Sequence, residues 1–399
     1  MMLKLANRVL RSAGFEVRRR RVAAVDRGIV ATIRPNNSPR GAVLISYVPD
    51  DVSKPENEVS PAHTHFWECR YMAESYAKVG FLVDVIDFAD KTFKPAKHYD
   101  ILVSARTNLE RLAKHVSPDC LKIAHLDTAH FLTHNANALA RLRDIRDRHG
   151  VALRSNRMLD NNWAIEAADM GCVLGNAFTG DSYAYAGKPI HRIPLSSVRS
   201  FDWQEDKDFE ACRDTFLWFG SGGFAHKGLD LVIDAFAQLP DLRLIICGPV
   251  DLEPRFVKAF NQAMFHSDNI ETLGWVDVTS SDFEALRKRT LATIYPSCSE
   301  GGGGCVITCM HAGMIPVVTP EASVDIGDSG ILLESASIEA ICDAARTLSK
   351  AAPDELAKRA RAAWTIAREN HTRDTFASHY DHFLDEVVLP EVERRQVRS

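Results

Sequence analysis

The sequence predicts a two-domain α/β protein, built on two doubly wound parallel sheets with a cleft between the domains. Three observations lead to this prediction. The chain has 399 residues, which is enough for two domains that each bury a core. Short apolar runs alternate with segments of helical periodicity, a pattern typical of parallel sheets covered on both faces. The alternation stops in a polar stretch near residue 200 and then resumes.

The first series of apolar runs predicts a domain over residues 22–199, and the second predicts a domain over residues 200–371. Strands of the first domain are predicted at 41–48, 81–87, 100–105, 121–126 and 170–175. Strands of the second are predicted at 215–221, 242–249, 291–297 and 314–320. In the last segment, 372–399, apolar residues recur every three or four positions, so we expect a helix there that packs on another surface.

The composition is that of an ordinary soluble globular protein. Apolar residues make up 46% of the chain and charged residues 25%, and the net charge of −5 gives no indication of a nucleic-acid partner. No apolar run approaches the ~18 residues of a membrane span. The first residues lack the apolar stretch of a secretory signal. The odd number of scattered cysteines favours free thiols, which predicts a cytoplasmic protein.

The first 21 residues form a basic arm that ends in four consecutive arginines. Within it, Met2, Leu5, Val9 and Ala13 recur at helical spacing. Two interpretations remain open. The arm is either an amphipathic helix in peripheral contact with the anionic inner face of a membrane, or a solvated surface segment.

One candidate site is the stretch "FLWFGSGGFAHKGLDLVIDAF" (216–236), in which a strand runs through a glycine-rich turn into a helix. Ser221, Gly222 and Gly223 form the turn, and Lys227 stands just before the helix. Bare backbone amides and a helix N-terminus both attract an anion, so this arrangement indicates phosphate binding. The alternative is a glycine-eased turn with a solvated lysine.

The second candidate site is "PSCSEGGGGCVITCMHAGMIPVV" (296–318), which places an acid and four glycines between a strand and a helix. Ligands of open α/β sheets bind at this carboxyl end of the strands. Gly301, Gly302 and Gly303 would let a ligand touch main-chain amides, and Glu300 offers a carboxylate to sugar hydroxyl groups. No structural reason for an acid at this position is apparent in the sequence.

Together these two motifs resemble the C-terminal domain of family-four glycosyltransferases (glycosyl transferases group 1), which are retaining enzymes of the GT-B fold with two Rossmann-like domains. In that family a strand–glycine–lysine–helix unit is followed by a Glu-x7-Glu signature. The stretch "ETLGWVDV" (271–278) also matches the family's strand and turn near the nucleotide base. The resemblance covers residues 215–350 well, and over 40–200 it is one of architecture only. It implies that the segment 372–399 packs back on the first domain.

Residue by residue, the resemblance implies that Lys227 contacts the donor pyrophosphate and that Glu300 holds hydroxyl groups of the donor sugar. The amides of Gly302 and Gly303 would approach the sugar and the β-phosphate. Val276 would present backbone groups to the base.

Two departures from the family pattern stand out. Thr308 occupies the position of the second signature glutamate, so only one hydrogen bond to the ribose remains there. The arginine that normally precedes the lysine is replaced around Ser221 and Gly222.

In the first domain, the informative stretch is "LKIAHLDTAHFLTHN" (121–135), where His125 lies near the end of a predicted strand. Related enzymes carry a functional histidine at a similar place, which implies a role in binding the donor sugar or the acceptor. Asp127 and His130 are further candidates for the acceptor, with helix capping as the alternative for His130. A zinc site that adds His63 and His65 to these histidines is rejected, because the ligand spacing is unconvincing.

The predicted function is therefore that of a hexosyltransferase-type glycosyltransferase, as in polysaccharide biosynthesis. It would move a sugar from a nucleotide-sugar donor to a glycan or lipid-linked acceptor, with retention at the anomeric carbon and without a metal or other cofactor. Two alternatives remain open, namely a sugar-nucleotide epimerase of the same fold and a non-catalytic scaffold descended from a transferase.

Overall fold

The computed structural model describes residues 28–398, so the basic arm predicted over residues 1–21 lies outside the described part of the chain. The described residues form two separate sheets, of seven and six strands, in which almost all neighbouring strands are parallel. The predicted class, two parallel-sheet α/β domains, is confirmed.

The first sheet has the strand order β1-β3-β2-β4-β5-β6-β7, and only its edge strand β1 is antiparallel to its neighbour. Its strands are β1 (Ile29–Ile33), β2 (Gly41–Tyr47), β3 (Phe81–Asp87), β4 (Ile101–Ala105), β5 (Leu121–Leu126), β6 (Met170–Val173) and β7 (Ile190–Arg192). The helices that accompany it are α1 (Thr64–Lys78), α2 (Arg106–Ala113), α3 (Phe131–His149), α4 (Ala164–Ala167) and α5 (Ala177–Asp181).

The second sheet is parallel throughout, with the order β10-β9-β8-β11-β12-β13. Its strands are β8 (Thr215–Phe219), β9 (Arg243–Cys247), β10 (Ile270–Gly274), β11 (Ala292–Tyr295), β12 (Ile315–Val318) and β13 (Ile331–Leu332). Its helices are α6 (Phe209–Cys212), α7 (Leu229–Phe236), α8 (Pro254–His266), α9 (Ser281–Arg289), α10 (Gly304–His311), α11 (Ile338–Lys350) and α12 (Pro353–Asn370).

Each sheet has one point at which the direction of winding reverses. In the first sheet this point lies between β2 and β4, and in the second it lies between β8 and β11. A crevice forms where the connections leave such neighbouring strands in opposite directions, and ligands of open α/β sheets bind there. The two candidate loops follow β8 and β11, so both flank the crevice of the second sheet.

The end of the chain crosses from the second sheet to the first. Helix α13 (Arg373–Phe383) continues through a π-helical turn (Leu384–Val388) into α14 (Leu389–Arg398). The fully buried ring of Phe376 lies edge-on to Trp67 of α1, with 6.0 Å between ring centroids. The carboxylate of Asp381 accepts hydrogen bonds from Tyr71 (2.9 Å) and Ser75 (3.1 Å) of the same helix.

The two chain crossings between the sheets touch each other. Leu195 lies on the first crossing and His371 on the second, and the His371 Nδ1 is 2.9 Å from the Leu195 carbonyl oxygen. The His371 carbonyl oxygen lies 2.9 Å from Nε2 of His311 in α10. Both histidines are buried, so these contacts are shielded from water.

The apolar core is continuous between the sheets. One cluster of buried residues joins β2, β3 and α1 of the first sheet to α10, α12 and α13. A second cluster fills the remainder of the six-stranded sheet. No helix within residues 28–398 is both long and apolar enough to cross a membrane.

Candidate active site

The glycine-rich loop after β11 lies directly against the first domain. A Cβ atom added to Gly301 would stand 2.0 Å from the carbonyl oxygen of Asp127, which follows β5. Gly303 has a φ of +55°, and a Cβ there would lie 2.3 Å from Val324 Cγ2. Gly302 is less constrained, because its nearest neighbours are side-chain atoms of Leu195 at 3.3 Å. Contacts within the protein therefore account for glycine at positions 301 and 303.

Lys227 and Glu300, predicted on separate loops, form an ion pair. The Lys227 Nζ lies 2.8 Å from the Glu300 Oε1, and both side chains are buried. Tyr295, at the end of β11, shares the cluster, because its hydroxyl accepts from Lys227 at 2.5 Å and donates to Glu300 at 3.1 Å. Ser297 donates a further hydrogen bond to the same carboxylate oxygen at 3.1 Å. The acid at position 300 thus has a structural partner that the sequence does not reveal.

The electrostatics of this cluster favour the charged carboxylate. Burial by itself raises the pKa of Glu300, but the opposing charges of Lys227, Arg157 and His226 outweigh it and hold the pKa well below its usual range. Burial, reinforced by the Glu300 charge, raises the pKa of Tyr295 well above its usual value, so this phenol keeps its proton. The cluster is a carboxylate held by an ammonium group and two hydroxyl groups.

The loop that carries Lys227, residues 220–228 and called the lysine loop below, packs against Pro296 beside the same cluster. Gly228, with a φ of +75°, precedes α7, and a Cβ there would lie 2.4 Å from the Pro296 carbonyl oxygen. The two candidate loops can therefore approach each other only because residue 228 is glycine. Gly222 has more space around it, with no atom nearer than 3.5 Å to an added Cβ, and Ser221 is half-buried.

Two histidines with rings in tilted contact join the two domains beside this cluster. His134 of α3 and His226 of the lysine loop have ring centroids 4.6 Å apart at an interplanar angle of 31°. The His226 Nε2 lies 2.5 Å from the Ser299 carbonyl oxygen, and its Nδ1 lies 3.2 Å from the Cys298 Sγ. Burial lowers the pKa of His226 to about 4, and burial also lowers that of His134.

On the first domain, His125 is buried against Tyr47 rather than exposed at a surface. The two rings meet edge-on with centroids 4.5 Å apart, and burial lowers the pKa of His125 to about 4. Within the described residues, neither the His125 Nε2 nor the Tyr47 hydroxyl has a hydrogen-bond partner. Asp127, two residues further along, pairs with Arg106 at the end of β4.

Two residues that the resemblance assigns to the nucleotide lie apart from the Lys227–Glu300 cluster. Val276 follows β10 and is buried in an apolar cluster with Phe283. The Thr308 hydroxyl donates to the Gly304 carbonyl oxygen at 2.8 Å within its own helix.

Two further histidines of the first domain, His130 and His65, have local partners. His130 caps the N-terminus of α3, accepting from the Leu132 N–H at 3.4 Å, and its ring lies against Tyr183 and Tyr185. His65 pairs with the fully buried Glu68 at 2.8 Å. Over residues 28–398, no group of three or more His, Cys, Asp or Glu side chains is placed to hold a metal ion.

Several residues of this region are not singled out by the sequence. Two of them could have been found from the sequence. His226 directly precedes Lys227, and Tyr295 ends the strand before the second candidate loop. Arg157 and Glu253 lie in ordinary polar segments, and nothing in their local sequence marks them.

One family of known proteins matches part of the chain. Residues 213–351, which contain both candidate loops, match the family model described as "Glycosyl transferases group 1". No curated protein sequence matches the chain.

Solved structures match both domains at low sequence identity. Sucrose-phosphate synthase from Thermosynechococcus elongatus aligns with a TM-score of 0.61 at 13% identity, over 88% of this chain and 100% of that one. WaaG, a glycosyltransferase involved in lipopolysaccharide biosynthesis, gives 0.54 at 14% identity, over 86% and 99%. TarM from S. aureus gives 0.52 at 13% identity over 71% of this chain and 55% of TarM, so the chain spans about half the length of TarM. The chain therefore has the GT-B fold, and residues 213–351 of its second domain resemble the glycosyl transferases group 1 family.

Proposed function

We propose that this protein is a glycosyltransferase that moves a hexose from a nucleotide-sugar donor to a glycan or lipid-linked acceptor. The observation that carries the proposal is the buried cluster of Lys227, Glu300 and Tyr295. It lies at the carboxyl ends of the two strands that flank the crevice of the second sheet. Open α/β sheets bind their ligands there, and the family match covers the same loops.

The chemistry follows from the charges in this cluster. When a donor enters, its diphosphate competes for the Lys227 ammonium and frees the Glu300 carboxylate for sugar hydroxyl groups. The negative charge that develops on the leaving nucleoside diphosphate then meets Lys227 and the amides of the two loops, which are already oriented. We propose that transfer proceeds with retention and without a metal, which NMR of the product anomer and turnover in the presence of a chelator would test.

Donor binding in this arrangement requires the domains to separate. The void between α3 and the lysine loop measures about 10 Å³, which is room for about one water molecule. The loop at Gly301 also touches Asp127 directly. The two domains are thus in contact at these loops, and we propose that the same contact, re-formed around a bound donor, limits hydrolysis of the donor by water.

The matched structures suggest which substrates to test. TarM was crystallised with UDP, fondaparinux and α-GlcNAc-glycerol, and WaaG acts in lipopolysaccharide biosynthesis. For this chain we propose a nucleotide-sugar donor and a carbohydrate acceptor of the same general kind, in the cytoplasm.

A thermal-shift panel of sugar nucleotides, followed by turnover of each hit, tests the proposal. A true donor at ~100 times its dissociation constant should stabilise the folded state by ~2.7 kcal/mol. Released nucleoside diphosphate should then depend on the acceptor. Lys227→Ala should lose the shift. If no sugar nucleotide stabilises the wild-type protein, the proposal is wrong.

One observation favours a second candidate, a non-catalytic scaffold that still binds a nucleotide sugar. The Thr308 hydroxyl donates its proton to the Gly304 carbonyl oxygen within its own helix, so the position of the second signature glutamate offers a ligand no carboxylate and only the acceptor lone pairs of a hydroxyl oxygen. Stabilisation by a donor without turnover on any acceptor or on water would support this scaffold.

The membrane contact of residues 1–21 stays a proposal, motivated by their basic, apolar-striped sequence. Co-sedimentation with anionic vesicles should fall when the four consecutive arginines are replaced by serine. Unchanged co-sedimentation would leave only the solvated segment.

A further inference from the structure

A short segment of the first domain reaches the lysine loop of the second. It comprises residues 155–157, between α3 and α4. Its backbone is fixed to the first domain, because the Arg157 carbonyl oxygen lies 2.7 Å from the His134 Nε2. Two residues on, Leu159 exchanges hydrogen bonds of 2.9 Å in both directions with the Asn135 side chain. The segment therefore moves with α3 when the domains separate.

Across the domain boundary, the segment meets the glycine turn of the lysine loop. The Gly223 N–H donates to Glu253 Oε1 at 2.5 Å, and the Asn156 side-chain amide donates to the same oxygen at 2.7 Å. Gly223 has a φ of +95°, and an added Cβ would lie 2.7 Å from Arg157 Cγ. The Glu253 carboxylate thus already accepts a hydrogen bond from a backbone amide of the turn, and the aliphatic part of the Arg157 side chain packs over the turn.

The guanidinium group of Arg157 is available to a ligand in this structure. Lys227 is paired with Glu300, and Arg106 is paired with Asp127. Arg157 is exposed, and it has no carboxylate within ion-pair distance among residues 28–398. Its charge nevertheless reaches both sides of the domain boundary. Burial is the main cause that lowers the pKa of His63 in the first domain and the Arg157 charge adds to it, whereas in the second domain Lys227 and then Arg157 lower the pKa of Glu300.

We propose that Arg157 and the Gly223 amide form, across the domain boundary, a second anion-binding element for the donor diphosphate, and that Glu253 occupies it in the closed, ligand-free protein. This inference rests on the proposed function and names the residues that would hold its substrate. A guanidinium presents paired N–H donors that fit two phosphate oxygens, which an ammonium group cannot do. Donor binding would displace Glu253 and draw the two domains together through Arg157.

Calorimetry with UDP, GDP and ADP, and with the matching nucleosides, tests the inference. Arg157→Ala should weaken binding of the diphosphate that the wild type binds by about 10- to 100-fold, the range for loss of a charge-assisted hydrogen bond. It should leave nucleoside binding unchanged. Glu253→Ala should tighten diphosphate binding several-fold, because it removes the competing carboxylate. Arg143→Ala, at an exposed arginine on α3, is the matched control and should bind like the wild type.

The outcomes separate the two proposals. If the wild type binds none of the diphosphates, the transferase proposal fails and this inference fails with it. If the wild type binds and Arg157→Ala binds equally well, only this inference is overturned. Equal loss of diphosphate and nucleoside binding would also overturn it, because the effect would not belong to phosphate. Binding unaffected by Glu253→Ala would remove Glu253 from the site.

Discussion

Lys227 and Glu300 neutralise each other inside the protein, so neither side chain can be changed alone without leaving a buried charge. Because of this ion pair, a substitution at position 300 changes the stability of the protein as well as its binding of a ligand. From the sequence alone, a glutamine there would be expected to affect only the ligand. Since the carboxylate accepts three hydrogen bonds, from Lys227, Tyr295 and Ser297, it also supports the folded state.

Glu300→Gln should lower the free energy of unfolding by roughly 3 kcal/mol, because it leaves the Lys227 ammonium buried without a counter-charge. Urea unfolding measures this. The double variant Lys227→Gln/Glu300→Gln should be more stable than the sum of the single changes predicts, since no charge is then left unpaired. Additive effects of the two substitutions would contradict the ion pair.

The buried histidine His226, in ring contact with His134, makes the free energy of unfolding depend on pH in the acid range. The pKa of His226 is about 4 in the folded state and ordinarily about 6.5, so between these values the unfolded chain binds a proton that the folded chain does not. Stability is therefore complete above pH 6.5 and declines as the pH falls toward 4. Glu300, Lys227 and His134 are the charged or titratable groups that act on this ring.

His226→Gln should reduce the loss of unfolding free energy between pH 7 and pH 4 by on the order of 3 kcal/mol, the value of a shift of this size at 1.36 kcal/mol per pH unit. Denaturant unfolding at several pH values measures the slope. His266→Gln, at an exposed position on α8, should keep the wild-type slope. Parallel slopes for all three proteins would refute the assignment.

At the scale of elements, the loop after β11 is adapted to the first domain as well as to a ligand. Gly301 meets the Asp127 carbonyl oxygen, and the Glu300 carbonyl oxygen accepts from Thr179 of α5 at 3.2 Å. Closure and site formation therefore depend on the same backbone.

Gly301→Ala should hold the domains apart, because an added methyl group would stand 2.0 Å from a backbone oxygen that has little freedom to move. We expect a larger radius of gyration by small-angle X-ray scattering and a loss of turnover. Gly302→Ala is the matched control for the scattering, since the atoms nearest to an added Cβ there are the Leu195 Cβ and Cδ2 at 3.3 Å rather than a backbone oxygen. Identical scattering from Gly301→Ala and the wild type would argue against this close contact.

The elements that could be predicted from the sequence are those with strong local patterns. The central strands of both sheets lie where their apolar runs place them, because a buried parallel strand is apolar on both faces. The edge strands β1 and β7 are half-exposed and short, so no such run marks them.

The same distinction between local patterns and long-range contacts applies to the residues of the candidate site. Glycine turns and strand ends are local features, so Lys227, Glu300 and the glycines of both loops could be singled out. The pairing of Lys227 with Glu300 could not, because it joins positions 73 residues apart. Arg157 reaches the lysine loop only when the two domains pack together, and Glu253 meets Gly223, 30 residues away, only when the second domain folds. No local pattern encodes either contact.

At the scale of the whole molecule, the last helices attach the end of the chain to the first sheet. Phe376, Tyr380 and Phe383 of α13 are buried in the cluster that also contains Trp67. Residues far apart in sequence thus share one core, so loss of this contact should lower the free energy of unfolding of the whole protein.

Phe376→Ala should lower the free energy of unfolding by about 3–5 kcal/mol, the cost of removing a fully buried aromatic ring. Thermal and denaturant unfolding measure the effect. Phe265→Ala, at a ring that is 43% exposed on α8, should cost far less. Equal costs for the two substitutions would mean that α13 contributes little to the core.

The contact between Leu195 and His371 has a mechanical consequence. Two covalent connections that meet at one buried point act as a hinge, so the domains can rotate about this point but cannot slide past each other. Displacement grows with distance from such an axis. A rotation of a few degrees leaves the crossings and the neighbouring Gly302, whose added Cβ would lie 3.3 Å from Leu195, nearly in place, and it opens the gap most at those parts of the domain boundary that lie furthest from this point. Amide hydrogens at the crossings should therefore exchange slowly, whether the gap is open or shut.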